Sequence, residues 1–132
     1  NSVSQKNEEA IVAPGSSQTY TVEITSSGFS PQSLTIKQGD TVTWINKDSD
    51  EHWPASAMHP THTVYPGVDY DSGGSYQSSK GCSGEGEAKD GAFDVCKGLK
   101  EGESFTFTFN QIGSWNYHDH LIAGLYGKII VQ

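Results

Sequence analysis

Apolar side chains recur at every second position in short runs, and this period of two is what most limits the folds open to the chain. Tyr20, Val22 and Ile24 alternate with Thr21, Glu23 and Thr25; Leu34 and Ile36 follow a break at Gly28 and Pro31; Val42 and Trp44 follow the turn residues Gln38, Gly39 and Asp40. Farther along, Phe105, Phe107 and Phe109 alternate with Thr106 and Thr108, Trp115 and Tyr117 follow Gln111-Ile112-Gly113, and Ile129, Ile130 and Val131 form the last apolar run. No segment keeps a helical period over three turns. Short alternating runs separated by turn residues predict an all-β sandwich or barrel with Greek-key connections.

The 132 residues have room for one domain and one ordinary core, and an apolar fraction of 33% leaves part of the chain outside it. Residues 1–18, with only Ile11 and Val12 as neighbouring bulky apolar side chains, read as a flexible leader or tether, and residues 19–132 as the domain. Between the two β-rich parts lies an insertion of about residues 53–99, dense in Gly, Ser, Pro, Tyr and acidic residues. A segment of that size inside a compact domain is functional or disordered as a rule. Trp53, Tyr65, Tyr70 and Tyr76, together with a cross-link, favour an ordered lid.

Cys82 and Cys96 are the only cysteines. A disulfide between them would close a loop of roughly 15 residues and contribute about 3 kcal/mol in the chain-entropy picture. It would also imply an oxidising compartment, hence an extracellular, periplasmic or cell-surface location. The rival reading gives Cys96, as a thiolate, to a metal. The formal charge of −8 argues against nucleic acid or an anionic membrane as a partner. No run approaches the roughly 18 apolar residues of a membrane span, so a membrane tether could come only through a removed N-terminal segment.

The five histidines fall into three groups: His52, His59 with His62, and His118 with His120. Along a strand, Trp115, Tyr117 and Asp119 face one side and Asn116, His118 and His120 the other. The aromatic residues suit the core better, which puts both histidines on the outer face, with Cα atoms about 6 to 7 Å apart. In His59-Pro60-Thr61-His62 the proline restricts the backbone, and an i, i+3 pair in a turn can aim both rings one way. A set of imidazoles suits copper or zinc. His52, His59, His62, His118 and His120 are therefore the candidate metal residues, with Asp119 expected behind them, orienting His52 or another imidazole through its ring N–H. Any of His52, His59 and His62 could complete a site with His118 and His120.

Three segments resemble the cupredoxin family: Gln38-Gly39-Asp40-Thr41-Val42-Thr43-Trp44-Ile45-Asn46 followed by Lys47-Asp48 and His52, which matches an N-x-D-x3-H segment; Gly102-Glu103-Ser104-Phe105-Thr106-Phe107; and residues 113–131. The resemblance, which does not cover the insertion, implies a Greek-key β-sandwich of cupredoxin type and a copper cofactor, and the long ordered insertion lies before the last strands of that fold. In typical blue-copper members the remaining ligands form a C-x2-H-x2-M-x-G pattern. Carried onto this chain, His52 matches the first ligand, the Cys falls on Asp119, the second His on Ile122 and the Met on Leu125. The closing segment is also similar to the first domain of multicopper oxidases, through Tyr117-His118-Asp119-His120 and Gly124-Leu125-Tyr126-Gly127. His52-Trp53 matches that family's His-Trp-His-Gly only in part, because Pro54 stands at its second His.

With the thiolate missing, the leading expectation is a secreted cupredoxin holding copper by a cluster of histidines, type 2-like and not blue, for copper binding or small-molecule redox chemistry. Its partners would be the metal ion and a small-molecule substrate or redox partner. One alternative is a three-histidine zinc site acting as a hydratase or hydrolase, with Glu51 or Asp119 orienting the water. The other is a metal-free interaction module that uses the Tyr-rich insertion as its surface.

Overall fold

The computed structural model describes residues 17–56, 65 and 92–132. Eight strands follow one another: β1 (Thr19–Thr25), β2 (Gly28–Ser30), β3 (Ser33–Ile36), β4 (Thr41–Asn46), β5 (Pro54–Ser56), β6 (Ser104–Thr108), β7 (Gly113–Asp119) and β8 (Tyr126–Val131). They form two four-stranded sheets, in the orders β2-β1-β4-β6 and β3-β8-β7-β5. Both sheets are mixed, since β1 runs parallel to β4 and β3 parallel to β8. The expected all-β sandwich is what forms, with no helix among the described residues.

Alternation decides which side of each strand is buried. Val22 and Ile24 of β1, Val42 and Trp44 of β4, and Ile129 and Val131 of β8 point inward, while their Thr and Glu neighbours on β1 face water. The Gln38-Gly39-Asp40 turn is held by Asp40, whose two carboxylate oxygens accept from the backbone N–H of Gln18 and Lys37. Gly39 there has φ +93°, a region that disfavours residues with a Cβ.

The middle of the core is aromatic. Trp44 is wholly buried, with ring centroids 5.3 Å from both Phe93 and Tyr117 and 6.2 Å from Phe109. Such edge and tilted contacts stabilise by about 0.5 to 1.5 kcal/mol each beyond simple burial. Tyr65 joins them, 3% exposed, and its hydroxyl accepts from the backbone N–H of Asn110 and Gln111.

Two strands were not foreseen, β2 and β5, because three residues are too few to display a period. The insertion also differs from a simple lid at both ends. Ser56 N–H donates to Phe93 O and Val95 N–H to Pro54 O, so residues around 93–95 run beside β5 as a further edge of the second sheet. Phe93, Val95 and Leu99 are core residues, between 1% and 5% exposed. The leader up to residue 16 and most of the insertion, with Tyr70 and Tyr76, lie outside the described residues.

Candidate metal centre

The site begins in the loop after β4, and Asn46 shapes it. The Asn46 side chain is fully buried; its Oδ1 accepts from Asp48 N–H, and its Nδ2 donates to Asp50 O and to Leu99 O. This small turn carries Asp48 and then His52 to the edge of the second sheet, where His52 exchanges two backbone hydrogen bonds with Leu99. Pairing of Pro54 with Asp119 and Ala55 with His118 sets β5 against β7, and the closing residues of β7 arrive beside His52.

His52 is completely buried and held from both ring nitrogens. Nδ1 donates to Asp119 Oδ2 at 2.5 Å and Nε2 to Asp48 Oδ2 at 2.8 Å. Ionised carboxylates only accept, so a ring bonded to one at each nitrogen donates twice and carries a positive charge. Burial opposes that charge, but the hydrogen bonds and negative charges of Asp48 and Asp119 outweigh it and raise the His52 pKa above its ordinary value. The hydrogen bond to His52 in turn lowers Asp48 below the usual carboxylate range. Asp119, 1% exposed, uses its second oxygen to accept from Trp53 N–H and Leu121 N–H, both at 3.0 Å.

On the other side of β7 the second pair of histidines sits together. Tyr117 and Asp119 face inward as their parity requires, so His118 faces away from the aromatic core; yet it is only 2% exposed, so this face is covered at that point rather than open to water. The His118 and His120 ring centroids are 6.2 Å apart. His120 N–H donates to Trp53 O, and its ring lies 4.4 Å from the Trp53 indole at 49°. Trp53 Nε1 donates to Asp94 Oδ1, which also accepts from Cys96 N–H, so the returning arm of the insertion braces the indole behind His120.

The five histidines thus resolve into distinct places. His52 is joined with Asp119 and Asp48, His118 with His120, and His59 and His62 lie outside the described residues, as does Cys82. No free cysteine occurs among the described residues. Glu51, considered as an orienter of water, is exposed. Sequence reasoning gave no role to Asp48, although its place four residues before His52 was visible in the N-x-D-x3-H segment. Asp94 carried no signal at all.

Two positions can be tested for copper. At the corner where the family pattern puts its ligands, His52 has both nitrogens on carboxylates, Asp119 stands in place of a thiolate, and Ile122 and Leu125 supply no donor atom. Asp48 and Asp119 bond opposite ring nitrogens and do not converge on one point. That donor set does not fit a blue-copper ion. The second position offers two imidazoles. Two metal–nitrogen bonds near 2 Å plus about 1 Å from each nitrogen to its ring centre span roughly 6 Å when the ion lies in line between the rings, so the observed separation stands at the upper limit for a shared ion. Among the described residues no group of three His, Cys, Asp or Glu side chains could hold a metal alone.

A family model described as copper binding proteins of the plastocyanin/azurin family matches residues 19–132. A chloroplastic plastocyanin from Tetradesmus obliquus is 31% identical over 108 residues, which is 79% of this chain and 58% of that protein. The chain therefore spans less than two thirds of that relative's length. Among solved structures, a reduced Cu(I) form of an amicyanin variant superposes with a TM-score of 0.57 at 23% identity, over 93% of this chain and 88% of its own. A purple cupredoxin from Nitrosopumilus maritimus also gives 0.57, at 21% identity over 86% of this chain and 99% of its own. At these identities the two structures speak for the fold.

Proposed function

The chain belongs to the plastocyanin/azurin family of copper-binding proteins, and on that premise we propose that it holds copper without a thiolate, through imidazoles on the outer side of β7. His118 and His120 form the fixed pair, and His59 or His62 from the insertion completes the set. The carrying observation is the partition of histidines: His52 is tied at both nitrogens to carboxylates, whereas the His118 and His120 rings stand 6.2 Å apart, at the outer limit for two ligands of one ion. Chain length permits the third ligand. His59 is three residues beyond Ser56, the end of β5, and three residues reach at most about 10 Å.

A bound copper would supply one-electron chemistry at a nitrogen-rich site, with a small molecule or a redox protein as its partner. A Cys82–Cys96 disulfide closing the insertion favours an oxidising compartment outside the cytosol, extracellular, periplasmic or at the cell surface. Zinc at the same imidazoles, with hydration chemistry, has no further observation in its favour.

Electron paramagnetic resonance of the protein loaded with one equivalent of Cu(II), beside its visible spectrum, tests the reading. A type 2 signal with nitrogen couplings and no intense thiolate band is expected, and it should be lost in His118→Ala/His120→Ala. An intense thiolate-to-copper band, or unchanged copper binding in the double variant, would overturn it.

A further inference from the structure

The outer face of the second sheet carries a hollow that neither the copper reading nor the fold requires. Gln32 and Ser33 at the start of β3, Asn116 on β7, and Tyr126, Gly127 and Lys128 on β8 line a space of about 360 Å³, within the range of small-molecule sites. The sheet order β3-β8-β7-β5 makes β8 an interior strand, so Lys128 rises from mid-sheet rather than from an edge. Register places it opposite Ser33 on one side and Asn116 on the other. The Gln32 side chain is fixed by donating to Tyr126 O, and Gln32 O accepts from Lys128 N–H, so this wall is tied to β8.

The charge of the hollow is unlike that of the chain. Acidic residues outnumber basic ones 16 to 8, yet among the described residues no carboxylate lines it. The ion pairs among the described residues both belong to His52, so the Lys128 ammonium has no carboxylate partner among them. A cation flanked by an amide and a hydroxyl, with the half-exposed Tyr126 ring as an apolar wall, matches an anionic head on a flat apolar body. Tyr126 also pairs directly with His118 across β7 and β8, so this wall of the hollow adjoins His118.

We propose that this hollow seats a small aromatic carboxylate and serves as the small-molecule subsite of the copper centre. The carboxylate meets Lys128 and Asn116, and the ring lies along Tyr126 toward His118. Only the link to copper rests on the proposed centre; binding in the hollow does not.

Titration of the metal-free protein with benzoate, followed by amide NMR, separates the two. Benzoate should shift residues 116 and 126–128, the uncharged benzamide should bind at least about tenfold more weakly, and Lys128→Gln should weaken benzoate to a similar degree. Asn116→Ala should weaken it independently from the opposite wall. Equal binding of benzoate and benzamide, or an unchanged affinity in both variants, would overturn the site. In the copper-loaded protein, benzoate should alter the paramagnetic spectrum, and Lys128→Gln should remove that change. Benzoate bound in the hollow with an unaltered copper spectrum would overturn the subsite role. Loss of copper binding in wild type with benzoate binding intact would overturn the proposed centre and uphold the hollow.

Discussion

Replacing Asp119 should unfold the protein far more readily than its single carboxylate suggests. In the metal-free protein this side chain accepts three hydrogen bonds, from His52 Nδ1, Trp53 N–H and Leu121 N–H, and it is the inner of two carboxylates facing a charged ring with no exposed surface. Asp119→Ala leaves the imidazolium buried with one partner, a change that costs about 3 to 5 kcal/mol when a buried pair is broken. For a domain of this size each kcal/mol moves the midpoint by about 4 °C, so a fall of about 15 °C is expected. Asp119→Asn keeps an acceptor for both backbone N–H groups but turns an NH2 donor toward Nδ1, which must give up its proton to accept from it, so a smaller fall than for Asp119→Ala is expected. Scanning calorimetry of the metal-free protein at about pH 6, below the raised His52 pKa, measures both. A double-mutant cycle with His52→Gln isolates the pair, and its two effects should be strongly non-additive. A midpoint within about 4 °C of wild type for Asp119→Ala, or simple additivity in the cycle, would refute the claim that this ion cluster holds the loop after β4 to β7.

The pH dependence follows from the directions of the two shifts. The folded His52 pKa is raised, so its contribution is complete below the unfolded value of about 6.5 and is lost as pH rises through the folded value; the Asp48 pKa is lowered, so its contribution is present above about 3.8 and is lost as pH falls. The difference in melting temperature between wild type and His52→Gln, without metal, should therefore shrink steadily as pH is raised above about 6.5, and a constant difference would contradict the charged ring. At Gly127 an added Cβ would lie 2.6 Å from the Tyr117 ring and 2.8 Å from Gln32 O. Gly127→Ala should consequently cost about 2 kcal/mol in denaturant unfolding, because both neighbours are packed. If the Cys82–Cys96 bond forms as proposed, alkylation before reduction should leave the mass unchanged, and Cys82→Ser/Cys96→Ser should lower stability by about 3 kcal/mol.

Much of the fold could be read from the chain because a strand reports its buried side in every second residue. Val22 and Ile24, Val42 and Trp44, and Tyr117 and Asp119 all face the side that alternation assigns them. The same rule separated His118 and His120 from Asp119. The segment from Asn46 through Asp48 to His52 was legible as a unit, and its residue types already announced a polar corner at the end of β4. Alternation tells which way a side chain points, however, and nothing about which distant residue it meets.

Tertiary structure made those assignments. His52 and Asp119 lie 67 positions apart and meet because β5 and β7 pair in the register Pro54 to Asp119. Phe93, Val95 and Leu99 looked like parts of a polar insertion, since their neighbours are Gly, Asp, Cys and Lys, yet they complete the aromatic core. His118 reads as an outer-face residue and is nevertheless covered. The sequence by itself determined the β-sandwich, the inward residues of its strands and the absence of a thiolate at the family's copper corner. Only the pairing of β5 with β7 decided that Asp119 would join the nearby Asp48 in holding His52, with His118 on the opposite side of β7, because charge pairing depends on distance in space and not along the chain.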